Sequence, residues 1–154
     1  MARKQLHPPS PRLIRLLYSI GLGPVIGRMI LLLTTTGRKS GLPRTTPLQY
    51  EDLGGAIYVA SANGRRADWF KNIEANPRVH LRIKSSEFDG LAQTVTDPRP
   101  ITDFLQLRLE RHPKMIGAIL RSEGLPSQPT RRQLEQYAGN LAMVIIHRIK
   151  EDRC

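Results

Sequence analysis

The sequence predicts an α+β fold: an antiparallel β-sheet of about six strands, able to close into a small barrel, with helices packed outside. Three observations carry this expectation. Residues Arg78 to Lys84 alternate without a break, with Val79, Leu81 and Ile83 on one side and Arg78, His80, Arg82 and Lys84 on the other. That is the period of a half-buried strand. Strand-like runs follow one another across short turns, Gly41-Leu42-Pro43 and Gly54-Gly55, and short turns join antiparallel neighbours. No Gly-x-Gly-x-x-Gly follows a strand and no regular helical crossover separates the runs, which argues against a Rossmann sheet.

Along the chain, residues 1–9 are expected to form a disordered basic tail ahead of a single domain over residues 10–150. Ser10 and Pro11 supply an N-cap and a first-turn proline, and Leu13, Leu16, Leu17 and Ile20 share a helical stripe that Gly21 ends. Such a helix packs on its own domain or lies on a membrane surface. Met29 to Thr36 is a β-prone run, Arg44 to Tyr50 resumes the extended pattern, and Ala56 to Ala60 makes a third strand. Asp68 is placed to cap a short helix with Trp69, Phe70 and Ile73 on one face, and Asn76-Pro77 stops it. Glu87 to Thr96 is the partner of the alternating strand, with Gly90 at a candidate bulge. From Pro100 the pattern turns helical, with Ile101, Phe104 and Leu105 on one side, breaks at His112-Pro113 and continues from Met115 to Leu120. Thr130 and Gln133 have the spacing of a capping box for a helix closed by Gly139, and Leu141 to Ile149 is a final buried strand.

Composition narrows the chemistry. The net charge of +11 over 154 residues calls for an acidic partner, which nucleic acid, an anionic membrane or a polyanionic cofactor would each satisfy. Aromatic residues are only 5%, and no strand interleaves aromatic and basic side chains, so a basic nucleic-acid-binding module is the weaker alternative. Cys154 is the sole cysteine, which rules out an internal disulfide and a cysteine-based metal site. His7 and His147 have no metal-binding spacing, and no metal is assigned. Arg15 and Arg28, with Gly21, Gly23, Pro24 and Gly27, interrupt the apolar N-terminal stretch, so neither a signal peptide nor a membrane span is expected. The expected location is cytoplasmic, with peripheral membrane contact at the inner face through residues 10–20 left open, as is a homodimer.

The segment Gly37-Arg38-Lys39-Ser40-Gly41 concentrates this charge in one loop. Its glycines allow backbone N–H groups to turn toward a ligand, Arg38 and Lys39 supply charge, and Ser40 supplies a hydroxyl. The combination suits a phosphate. It is not a Walker loop, because Arg38 precedes Lys39-Ser40 where that motif needs glycine, and hydrolysis of a nucleoside triphosphate is not expected. An exposed basic turn is the alternative.

Leu31 to Leu48, Val59-Ala-Ser-Ala-Asn-Gly64 and Asp68-Trp-Phe-Lys-Asn-Ile-Glu-Ala-Asn-Pro77 closely resemble the deazaflavin-dependent nitroreductase family. The resemblance implies a split β-barrel and the cofactor coenzyme F420; a related FMN-dependent split-barrel oxidoreductase is the alternative. Carried over by residue, it implies that Arg38, Lys39, Ser40, Gly41 and Arg44 hold the phosphate and acidic tail, while Pro47, Ala60, Ser61, Asn63, Trp69 and Asn72 line the deazaflavin ring. The implied reaction is hydride transfer from the reduced cofactor to a small electron-poor acceptor: a quinone, a nitro compound or an activated enone. Strong nitroreductases of this kind have tyrosines in the segment corresponding to His112 to Leu120, where this chain has none. His112 and Lys114 are then the candidates for a catalytic proton donor. His80, on the alternating strand, fits a surface role better.

Overall fold

The computed structural model describes residues 30–61 and 63–150. The basic tail and the helix expected over residues 10–20 lie outside the described residues. Seven strands form one sheet: β1 (Ile30–Thr36), β2 (Pro43–Gln49), β3 (Glu51–Leu53), β4 (Ala56–Ser61), β5 (Arg78–Ile83), β6 (Ser86–Val95) and β7 (Ala142–Arg148). Their spatial order is β2-β1-β5-β6-β7-β4-β3, with every pairing antiparallel. The strands at the two ends of that order, β2 and β3, are separated in sequence by Tyr50 alone. Only a sheet that curls until its edges approach satisfies both facts, and β2 does come against β4. The result is an antiparallel split barrel. The added strand, β3, is three residues long, too short to show a period in sequence.

Alternation decides what fills the barrel. Leu31 and Leu33 of β1, Ile57 and Val59 of β4, Val79 and Leu81 of β5, and Ala142, Val144 and Ile146 of β7 face inward. They close on Trp69, Phe70 and Ile73 of helix α1 (Asp68–Ala75). Phe70 is fully buried, and such an aromatic contributes roughly 1.5–3 kcal/mol through its apolar surface. The opposite face of β4 and β7 presents Tyr58, Met143 and Ile145 to helices α2 (Pro98–Arg111), α3 (Pro113–Ser122) and α4 (Arg131–Ala138). There Ile101, Phe104, Ile116, Leu120 and Leu134 form a second core, and Tyr58 stacks on Phe104 with ring centroids 5.7 Å apart. Strand β7 is therefore covered on both faces, which explains its nearly unbroken apolar run.

Local chemistry agrees with most of the expected boundaries and corrects three. The capping box forms: the Gln133 backbone N–H donates to Thr130 Oγ1 at 3.3 Å, and the Thr130 N–H donates to Gln133 Oε1 at 2.9 Å. Helix α2 begins before Pro100, because the Asp97 carboxylate accepts the Arg99 N–H at 3.0 Å and prolines are tolerated in the first turn. Asp68 is not a cap; Ala67 holds that position, and the Asp68 carboxylate is engaged elsewhere. Gly90 is not a bulge, since pairing runs one residue to one residue through it on both sides. A Cβ there would stand 2.5 Å from Ile146 Cγ2, so the glycine serves close packing of strands β6 and β7.

Gly117 has no such reason. It lies inside α3, where a Cβ would meet nothing within 4 Å. Glycine in a helix interior costs about 0.5–1 kcal/mol relative to alanine. Gly117→Ala is accordingly expected to raise unfolding stability by about that amount, seen as a higher denaturant midpoint at unchanged slope. A lower midpoint would reveal a steric contact at this position.

Candidate functional site

The hairpin of β1 and β2 closes at Thr36 opposite Pro43, leaving Gly37 to Leu42 as its loop. The Gly37 N–H donates to the Leu42 carbonyl at 2.8 Å, the Gly41 N–H to the Gly37 carbonyl at 2.8 Å, and the Leu42 N–H to Ser40 Oγ at 3.2 Å. A Cβ on Gly37 would stand 2.7 Å from Ser40 Oγ, and Gly41 adopts φ of 71°. Both glycines are thus dictated by the turn. The loop is fastened to α1. Asn72 Oδ1 accepts the Arg38 backbone N–H at 3.2 Å and Arg38 Nη1 at 2.9 Å, while Asn72 Nδ2 donates to Thr35 Oγ1 at 3.1 Å. Arg38 Nη2 also reaches Asp68 Oδ1 at 3.1 Å.

This arrangement divides the cations by task. Arg38 braces the loop, with only part of its guanidinium left for a ligand. Lys39 and Arg44 are exposed, and neither forms an ion pair among the described residues. Positive charge without an ion-pair partner among the described residues, next to a hydroxyl and a glycine turn, is a donor set suited to an anionic group. Beside Gly41 and Pro43 opens a cleft of about 230 Å³, lined by Thr34, Thr36, Arg78, His80 and Asp89. There the Asp89 carboxylate is held below its usual range by hydrogen bonds from His80, 2.8 Å away, and from Arg78, also 2.8 Å away. The His80 ring is therefore committed to Asp89.

The remaining expected residues are spread more widely. Asn72 and Trp69 share α1 with the loop's anchor, but both are buried, Trp69 among the barrel core and edge-on to Phe70. Ser61 ends β4 on the inward face and is buried; Asn63 follows it and is exposed. Ala60, one residue earlier, faces the second core instead. Pro47 sits on β2 opposite Leu32. Two contributors had not been singled out, Thr35 and the carboxylate of Asp68. For Thr35 the signal was present, since it continues the inward positions of Leu31 and Leu33 as a buried polar residue that needs a partner.

His112 and Lys114 stand apart. Gln49 and Glu51 lie where β2 ends, six residues and roughly 20 Å of strand from Pro43. The buried Glu51 carboxylate there gathers the end of α2: Arg108 Nε at 3.4 Å, Arg111 Nη1 at 3.3 Å and His112 Nε2 at 3.0 Å. Burial lowers the pKa of the Arg108 guanidinium against the pull of Glu51. The His112 ring is thus part of a structural clamp. Glu51→Gln is expected to cost about 1–2 kcal/mol, because the buried charge is lost while Arg111 and His112 can turn to water. Chemical denaturation measures this, and an unchanged midpoint would show that the clamp is idle.

The sheet defines a split-barrel protein, with a braced basic loop at one end of its β1–β2 hairpin. The family model described as F420H(2)-dependent quinone reductase matches residues 20–114, and the chain belongs to that family. Coenzyme F420 is the cofactor on which the family depends. The chain is 37% identical over 73 residues to the F420H(2)-dependent quinone reductase of Mycobacterium tuberculosis H37Rv, a match covering 46% of this chain and 49% of that protein. It thus spans about half the length of the curated relatives it matches. Among solved structures, a conserved hypothetical protein of M. tuberculosis aligns with a TM-score of 0.57 at 17% identity, covering 99% of this chain and 87% of that one. An F420-H2 dependent reductase aligns with a TM-score of 0.51 at 21% identity, covering 77% and 94%. At these identities the two structures bear on the fold alone. The family label is quinone reductase rather than the nitroreductase label that the sequence motifs suggested.

Proposed function

We propose that this protein is an F420H2-dependent oxidoreductase that reduces a quinone, with nitro compounds and activated enones as further acceptors of the same electron-poor class. The observation that carries the reading is the pair Lys39 and Arg44, exposed and without an ion-pair partner among the described residues, the first on a loop braced by Arg38 and Asn72 and the second just after it in β2. The family match over residues 20–114 supports the same cofactor. When bound, the reduced deazaflavin supplies a hydride, two electrons with one proton, and is oxidised as the acceptor is reduced. Lys39, Arg44, Ser40 and the Gly41 turn hold the phosphodiester and acidic tail. Asn72 and Trp69 act from behind the site, the first by fixing the loop and the second by stiffening α1. Ser61, Asn63 and Pro47 flank the ring, and Ala60 contributes through its backbone.

His112 is not the proton donor in this reading, because its ring is held by Glu51. The protein's task is then to align ring and acceptor and to keep water from the reduced ring. Titration of the purified protein with F420, followed by cofactor fluorescence, tests the proposal. Saturable binding together with quinone-dependent oxidation of F420H2 is the expected result. Tight FMN binding without F420 binding would overturn it in favour of an FMN enzyme.

A further inference from the structure

The guanidinium of Arg38 is divided between two kinds of partner. Nη1 donates to Asn72 Oδ1 at 2.9 Å and to the Asp68 backbone carbonyl at 3.4 Å, and the Arg38 backbone N–H reaches the same Asn72 oxygen. These bonds fix the loop to α1, and none of them uses the Asp68 side chain. Among the described residues Nη2 meets one group, Asp68 Oδ1, at 3.1 Å. The Asp68 side chain is 84% exposed and the Arg38 side chain 25%. Nor does helix capping hold the carboxylate, since Ala67 occupies the cap position of α1. Among the described residues this is the only ion pair that the Gly37 to Leu42 loop makes. Exposed pairs are weakly held, because water competes for both charges and fixing the side chains costs entropy.

We infer that the Asp68 carboxylate is a placeholder for the ligand's anion: without ligand it occupies the anion position at Arg38 Nη2, and an incoming phosphate displaces it. An anion on Nη2 breaks nothing that braces the loop, because Asn72 and the Asp68 carbonyl hold Nη1. The displaced guanidinium nitrogen then adds a charge-assisted hydrogen bond to the charge that Lys39 supplies. Asp68 is left in water on the first turn of α1, where the helix dipole favours a negative charge. The carboxylate therefore holds anion affinity below what the loop's cations alone would give, and its return speeds release. This deepens the reading of the loop as the phosphate site and rests on it. Had Asp68 instead positioned Arg38 for the ligand, its removal would weaken binding, so the sign of the effect decides between the two roles.

Asp68→Asn keeps an oxygen for Nη2 and removes the charge. It is expected to tighten F420 binding about fivefold at low salt, measured by cofactor fluorescence. Glu74→Gln makes the same change in net charge on an exposed residue about 9 Å further along α1, and its effect should stay below about twofold. Inorganic phosphate, titrated into the unsubstituted protein, gives a reading independent of F420. By NMR, the side-chain carboxyl carbon resonance of Asp68 should move with the same midpoint as the loop amides, while that of Glu74 stays in place. If phosphate behaves in this way and F420 does not bind, the cofactor reading fails and the placeholder stands. F420 bound equally or more weakly by Asp68→Asn, or an Asp68 carboxyl resonance that stays put while the loop amides shift, overturns the placeholder and leaves the cofactor reading intact. Loop amides unmoved by either ligand would remove the anion site and the placeholder together.

Discussion

Replacing Lys39 by glutamate is expected to weaken F420 binding roughly 30- to 1000-fold, about 2–4 kcal/mol, while Lys150→Glu changes it less than about threefold. Both substitutions alter net charge equally, from +11 to +9, so the comparison isolates position from bulk electrostatics. Lys39 stands at the tip of a loop whose shape its side chain does not maintain: the turn hydrogen bonds run through Gly37, Gly41, Leu42 and Ser40. Reversing its charge therefore leaves the scaffold intact. The loss combines a missing charge-assisted hydrogen bond with a repulsive carboxylate against the phosphodiester. Lys150 lies just beyond β7, outside the Gly37 to Leu42 loop, and serves as the comparison for a charge expected to act through the field, which is screened over about 10 Å at 0.1 M salt. Fluorescence titration at two salt concentrations separates the two cases. Equal losses at both positions would mean that no local phosphate site exists at the loop.

How much of this was legible in sequence depends on how local each determinant is. The alternation of β5, the capping box at Thr130, the Gly54-Gly55 turn and the basic loop are set by neighbouring residues, and they appear where they were expected. Strand β3 was missed because Glu51 to Leu53 is too short to alternate and because its pairing with β4 is decided by closure of the barrel. Gly90 was misjudged for a related reason. A glycine inside a strand signals either a bulge or a close approach, and only the packing of Ile146 against it distinguishes the two. Asp68 has the side chain of a cap, but Arg38, thirty residues earlier, competes for its carboxylate. The same long-range pairing gives Arg38 and Asn72 a bracing task in the loop beside the ligand contacts expected of them. His112 looked like a free helix-end donor, and its Glu51 partner lies sixty-one residues away in sequence.

The braces can be tested separately from the cations. Asn72→Ala removes the acceptor for two Arg38 donors and the donor to Thr35 Oγ1, leaving a buried hydroxyl without that partner. The expected cost is about 2–3 kcal/mol of unfolding stability, from hydrogen bonds worth about 1 kcal/mol each and the small void left behind. F420 affinity should fall with it, because the loop must then be ordered on binding at the ligand's expense. Asn72→Asp distinguishes bracing from ligand contact. The carboxylate can still accept from Arg38 and from the Thr35 hydroxyl, so stability should recover relative to alanine. Its charge, however, offsets the guanidinium beside the site and lowers the attraction for an anion. A protein that is restored in stability yet still impaired in F420 binding, most strongly at low salt, is the outcome this geometry requires. If Asn72→Asp bound F420 as tightly as the unsubstituted protein, the charge at Arg38 would have no part in holding the cofactor, and the phosphate site would rest on Lys39 and Arg44 alone.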